Sequence, residues 1–198
     1  GDEELSRRIL IDLYLSGHPL ATIGDEIIAA AFCSVGELWE CGDVEVYEER
    51  RACEICLRIV RELRALQEPA PADAPTALGG TLDGDPYTLA VSLAEVVLRD
   101  AGFRACSLGH LLPFSTLHAA LERCRPRLMW LSVSAVRDEP QFIAHVNRLQ
   151  AAASDQGCAF VIGGRALQPD LRRQLTYGAY CDTFQHLYAF ARTLLHAK

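Results

Sequence analysis

Asp85 and Tyr87 stand two residues apart in the stretch LDGDPYTLA, residues 82–90, where an apolar run gives way to an amphipathic segment. The residue types admit two readings. Asp85 as N-cap, Pro86 at the first helical position and Gly84 to turn the chain make an ordinary helix start. The same carboxylate and phenol, placed at the end of a strand, also suit part of a cofactor site. Both readings stay open on local chemistry.

Other groups lie at comparable points. In SLGHLLP, residues 107–113, Leu108 and Gly109 precede His110 at an expected strand end, and a lone loop histidine is more often neither ligand nor catalyst. In LSVSAV, Ser132 and Ser134 offer hydroxyls that either meet a ligand's polar edge or cap strand backbone. The pair Gly163 and Gly164 in IGGRA permits close approach of something flat or bulky, because no Cβ intrudes. The fuller G-x-G-x-x-G signature of a nicotinamide cofactor is missing. Cys53 and Cys56 form a C-x-x-C with no second pair at zinc-site spacing, so helix packing explains them better. Trp39 and the Glu48, Glu49, Arg50 run belong to GELWECGDVEVYEER, residues 36–50, where a core plug or a solvated helix face explains them equally well. No Ser-His-Asp or Cys-His pairing and no matched acidic pair emerges, so no catalytic constellation is expected and the chain reads as a non-enzyme.

The elements that must position these residues fall into two halves. LQEPAPADAP, residues 66–75, carries three prolines and three alanines and cannot continue a helix. Residues 1–66 are expected to form a helical bundle, 67–75 a linker, and 76–198 a second domain. In the first half the apolar spacing predicts helices over 3–15, 25–39 and 44–66. The second of these should turn Ile27, Ile28, Ala31, Phe32, Val35 and Leu38 inward, and the third Val46, Cys53, Cys56, Ile59, Val60, Leu63 and Leu66. A fourth helix upstream of Gly1, which replaces the usual Met, would complete a commoner bundle. In the second half apolar runs at 76–82, 104–108, 128–134, 159–164 and 178–183 alternate with helical patterns at 87–101, 114–124, 139–155, 167–176 and 184–196. That alternation predicts an α/β domain with a five-stranded parallel, Rossmann-like or flavodoxin-like sheet. Ligands in such sheets bind beyond the carboxyl ends of the strands, where Asp85, Tyr87, His110, Ser132, Ser134 and the glycine pair would lie.

Composition bounds the partners. Half of the 198 residues are apolar and the net charge is −7, with no block of Lys or Arg to grip a phosphate backbone. No apolar run approaches the roughly 20 residues that span a bilayer, and GDEELSRRIL has no signal-peptide pattern. The eight cysteines lie mostly in apolar periodic segments and read as reduced core thiols of a cytoplasmic protein.

Taken together, these pieces resemble the C-terminal sensory region of MerR-type transcriptional regulators that use cobalamin, including photoreceptor repressors, and are similar to corrinoid modules of methyltransferases. The resemblance runs from about Glu3 to Leu195. It implies a helical bundle followed by a cobalamin-binding-type domain, with the corrin ring sandwiched between them. It sets Trp39 on the tryptophan that covers the upper face of the ring and Glu49 near the upper ligand. It sets GDPYTLA on the Asp-x-His-x-x-Gly loop that supplies the lower cobalt ligand. Leu108, Gly109, His110, Ser132, Gly163 and Gly164 fall among the strand-end elements that line the nucleotide tail, with Ser134 kept as a candidate beside Ser132.

The departures matter more. Tyr87 takes the place of the axial histidine, Ala90 that of the glycine, Glu40 that of the histidine after the tryptophan, and Arg50 that of the histidine after the glutamate. Neutral imidazole is the natural ligand for such a metal, so the metal set is expected to be empty. The first expectation is therefore a sensor whose cleft takes cobalamin without histidine ligation, or another tetrapyrrole (haem or bilin). Arg50 would pair with a propionate, or else with Glu45 or Glu54. The alternative is a ligand-free oligomerisation or docking module, and a third reading is a corrinoid carrier for methyl transfer. Expected partners are a second copy of the chain, DNA only through an upstream domain, and a regulatory protein; no membrane is expected.

Overall fold

A computed structural model describes residues 2–196, in two compact units, Gly1–Pro69 and Ala70–Lys198. In the first unit, α1 (Glu3–Leu15) starts where the Asp2 carboxylate accepts the Leu5 N–H at 3.0 Å, with Glu3 and Glu4 facing the positive end of the helix dipole. It stops at Gly17, whose φ of +87° suits a residue without a side chain. A long helical stretch follows in three segments: α2 (Leu20–Thr22), a π-helical segment (Ile23–Ala29) and α3 (Ala30–Glu40). It therefore begins five residues before the expected Asp25. The wider π turns also shift the face that a 3.6-residue period predicts. Ile28 is buried, but Ile27 and Leu38 remain 41% and 44% exposed, and α3 buries no residue at all. Helix α4 (Val46–Leu66) opens on a reciprocal capping box between Glu45 and Glu48. It turns Ile55, Leu57, Ile59, Val60 and Leu63 inward, whereas Val46 and Leu66, expected inside, are exposed. Arg7 pairs with Glu62, and Arg58 with Glu3 at 2.7 Å, joining α1 to α4.

The second unit contains β1 (Thr76–Gly80), α5 (Leu89–Asp100), β2 (Arg104–Ser107), α6 (Phe114–Cys124), β3 (Leu128–Ser132), α7 (Glu139–Asp155), β4 (Ala159–Gly163), α8 (Pro169–Arg172), β5 (Ala179–Tyr180) and α9 (Phe184–His196). The strands form one parallel sheet in the order β2-β1-β3-β4-β5. That is the flavodoxin-like doubly wound order, whose direction reverses between β1 and β3. The central β3 is buried along its whole length, as a strand covered on both faces must be. Met129, Leu131, Val133, Phe160 and Ile162 pack with Leu117, Leu121, Val146 and Leu149 of α6 and α7. Helices α5 and α9 pack together on the opposite face. Gly79 has no side chain because the Trp130 ring lies where its Cβ would be.

Two expected elements shrink. Helix α8 covers four residues instead of 167–176; its start is set at Pro169, because the residue before the proline is held extended, at ψ 156°. The fifth strand is two residues long. The thiols are also less buried than their apolar surroundings imply. All eight are free, but only Cys158 and Cys181 are buried, Cys53 and Cys56 are half-buried, and Cys33, Cys41, Cys106 and Cys124 are exposed.

Candidate functional site

The reversal of strand order leaves a crevice beyond the carboxyl ends of β1 and β3. Asp85 occupies it. Asp85 is not the N-cap of α5, which starts later at Leu89 with Thr88 before it. Instead one carboxylate oxygen accepts the Tyr87 N–H at 3.1 Å and the other the Ser134 N–H at 2.6 Å. The carboxylate thus fastens the loop after β1 to the loop after β3. It is 2% exposed, and burial raises its proton affinity above the usual 3.8. The N–H groups of Ser134, Tyr87 and Ala135 and the charge of Arg165 oppose that rise.

Thr81 completes the junction and was not singled out from the sequence. It is fully buried; its hydroxyl donates to the Asp85 carbonyl at 2.7 Å and accepts the Leu111 N–H at 3.1 Å. A polar residue closing an apolar strand run is the signal that would have marked it. The Thr81 N–H reaches the Gly109 carbonyl at 3.2 Å, and Leu112 and Thr81 continue the contact. The loops after β1, β2 and β3 are therefore bonded into one edge.

Of the residues expected at the site, Asp85, Tyr87 and Ser134 meet directly, and Gly109 joins them through Thr81. Leu108 is half-buried beside Gly109, and its N–H bonds the Gly79 carbonyl at 2.7 Å. Ser132 is buried at the end of β3. His110 is exposed on the loop after β2. Gly163 accepts the Val133 N–H at 2.8 Å. Their missing side chains make room for the chain itself: the Cβ direction of Gly163 meets the Cys181 carbonyl, and that of Gly164, at φ +133°, meets the Val133 carbonyl. In the first unit, Trp39 ends α3 half-exposed, while Glu49 and Arg50 lie in α4 with an ion-pair distance of 3.6 Å. Glu49 also accepts the Cys53 thiol at 3.5 Å.

Two arginines missed in the sequence flank the junction. The Arg165 guanidinium lies 5.2 Å from the centre of the Tyr87 ring, and the Arg137 side chain runs along Gly84, where an added Cβ would come within 3.3 Å of it. A cavity of about 140 Å³ opens beside Gly84, floored by Leu82, Val136 and Phe142 and rimmed by Asp83, Arg137, Asp138, Gln141 and His145. Burial and then Arg148 lower the proton affinity of His145, whose ring stacks on Phe114 at 4.6 Å.

The order of strands, the bundle before them and the fastened edge define a corrinoid-type fold. The structure of a Methanosarcina barkeri monomethylamine corrinoid protein superposes with a TM-score of 0.75 over 94% of this chain and 89% of that one, at 13% identity. A cobalamin-binding protein from Desulfitobacterium hafniense gives 0.52 over 98% and 92%, at 16% identity. The methanol:cobalamin methyltransferase complex of M. barkeri gives 0.53 over all of this chain and 76% of that one, at 16% identity. In sequence, the chain is 27% identical over 158 residues to the HTH-type transcriptional repressor CarH of Myxococcus xanthus, covering 79% of this chain and 52% of the repressor. The chain thus spans about half the length of that curated relative. No family model matches it.

These solved neighbours are corrinoid or cobalamin proteins by name, and the residues of the β1 loop of this chain do not fit a cobalamin held by a protein imidazole there. The loop from Leu82 to Ala90 contains no histidine. Each Asp85 oxygen accepts one backbone amide, and the residue at position 87 offers a phenol where an imidazole would be needed.

Proposed function

We propose that this chain is the signal-receiving and self-assembling region of a MerR-type transcriptional regulator. Its second unit takes a tetrapyrrole at the carboxyl edge of the sheet without an imidazole from the β1 loop. The junction at Asp85 supports the reading: it fastens the loops after β1 and β3 at the switch point and leaves Tyr87 half-buried, with Arg165 over its ring and Arg137 along Gly84. The likeness to an HTH-type repressor supports a regulatory role, and the net charge of −7 supports DNA contact through another part of the protein. Methyl transfer is disfavoured, because a carrier needs cobalt under close axial control and position 87 offers a phenol. The chain is proposed to act by assembly and not as an enzyme.

A second reading, a ligand-free assembly module, draws on α3. That helix buries no residue, and Leu38 and Trp39 at its end are 44% and 52% exposed. The test is an absorption spectrum after dark incubation with adenosylcobalamin, haemin and biliverdin, each followed by desalting, with sedimentation velocity before and after. A retained band with a changed sedimentation coefficient supports the sensor. No band together with a stable dimer or tetramer supports the module. A colourless monomer at every concentration would sink both.

A further inference from the structure

The hollow beside Gly84 is separate from the junction it adjoins. None of the residues that line it takes part in the bonds made by the Asp85 carboxylate. Its volume is about 140 Å³. A protein cavity of about 150 Å³ holds a benzene ring, so the occupant has roughly six to eight non-hydrogen atoms. The floor is apolar, from the buried Leu82 and Phe142 and the half-buried Val136, and takes hydrocarbon.

The rim carries opposite charges that do not neutralise each other. Asp83 stands on the loop after β1, where its N–H bonds the Leu112 carbonyl at 2.9 Å. Arg137 stands on the loop after β3, its stem along Gly84. Neither side chain makes a hydrogen bond or an ion pair with any other described residue. Asp138, next on the rim, gives one carboxylate oxygen to the Gln141 N–H at 3.0 Å and so caps α7. His145 adds no charge at neutral pH, because burial and then Arg148 hold its proton affinity below the usual 6.5. A carboxylate and a guanidinium around one hollow, unpaired with each other, suit a ligand that brings both complementary charges itself.

We infer that this hollow binds a small zwitterion, a free α-amino acid with a short apolar side chain. Its carboxylate pairs with Arg137, its ammonium with Asp83, and its side chain rests on Leu82, Val136 and Phe142. No covalent bond changes. The site stands or falls independently of any tetrapyrrole at the sheet edge.

The experiment is a calorimetric titration of the whole chain with valine and with probes that each lack one feature. Isovalerate has no ammonium, isobutylamine has no carboxylate and glycine has no side chain; tryptophan keeps all three but is too large. Valine should bind once per chain with a Kd below about 1 mM. The other four should each bind at least several-fold more weakly. Asp83→Asn and Arg137→Gln, checked for folding by circular dichroism, should each weaken valine by roughly tenfold. Arg137→Gln should also erase the preference for valine over isobutylamine, and Asp83→Asn that over isovalerate, a pattern that misfolding does not produce. Absence of binding at about 10 mM valine would overturn the inference. So would equal binding of valine by the unchanged protein and both variants. Isobutylamine as tight as valine would make this a plain cation site, and tryptophan as tight as valine would place binding outside the hollow; either result also overturns it.

Discussion

The helical unit and the sheet unit contain similarly apolar segments, yet they close on themselves to very different degrees. In the sheet unit β3 is buried throughout, and Phe103, Phe160, Leu117 and Leu121 are at most 1% exposed. In the helical unit α3 buries nothing, and of the exposed large apolar side chains all but Leu111 belong to it. A parallel sheet clad by helices satisfies its apolar faces internally. Three helices, one of them widened by π turns, leave a face over.

The contrast can be broken by truncating each region. Phe160→Ala should cost ~3–5 kcal/mol, because a fully buried ring leaves a cavity, whereas Leu38→Ala should stay within ~0.5 kcal/mol. Urea midpoints of the two variants would decide it, and a Leu38 cost as large as that of Phe160 would show that α3 is part of the core. Next in size is the junction. Asp85→Ala leaves the Tyr87 and Ser134 N–H groups without their carboxylate and should cost ~1–3 kcal/mol, with Thr81→Val nearer ~1 kcal/mol. Thermal melts would measure both. Equal stability of Asp85→Ala and wild type would mean that the edge is held by other bonds.

A smaller effect separates the thiols. Burial first, then Glu49, pushes Cys53 up to about 12, and burial pushes Cys158 and Cys181 to about 11. An unfolded thiol loses its proton near 9.0, so these three favour the folded chain less as pH rises from that value through about 11 to 12. Their contribution is intact below 9.0. The urea midpoint should therefore fall across that interval, and Cys158→Ala should make the fall shallower. At neutral pH iodoacetamide should label the exposed Cys33, Cys41, Cys106 and Cys124 and spare the other four. Labelling of Cys158 in the folded protein would contradict its burial.

Much of the sheet unit was legible because its periods are regular. The helices over 114–124, 139–155 and 184–196 lie where the apolar spacing sets them, and the five strands keep their order. Local pattern failed where long-range bonds decide. Asp85 reads as a helix cap from its neighbours, and only the backbone of Ser134, 49 residues away, reveals where its carboxylate goes. The glycine pair after β4 was legible as a close approach, but not what approaches, because Cys181 and Val133 are brought there by topology alone. Arg165 and Arg137 were passed over since nothing local to an arginine says which ring or glycine it will cover. In the helical unit the π turns defeated the face assignment, as a fixed period cannot register one extra residue.

The way Asp85 is held has an evolutionary consequence. Its partners are main-chain amides, which every residue but proline supplies, so these bonds persist whichever other side chain follows at position 87. A lineage carrying such an edge can trade imidazole for phenol, thiol or an apolar group by single substitutions, each intermediate remaining folded. The shape of the edge is thereby uncoupled from the chemistry of the side chain it displays, so the one can be inherited while the other drifts.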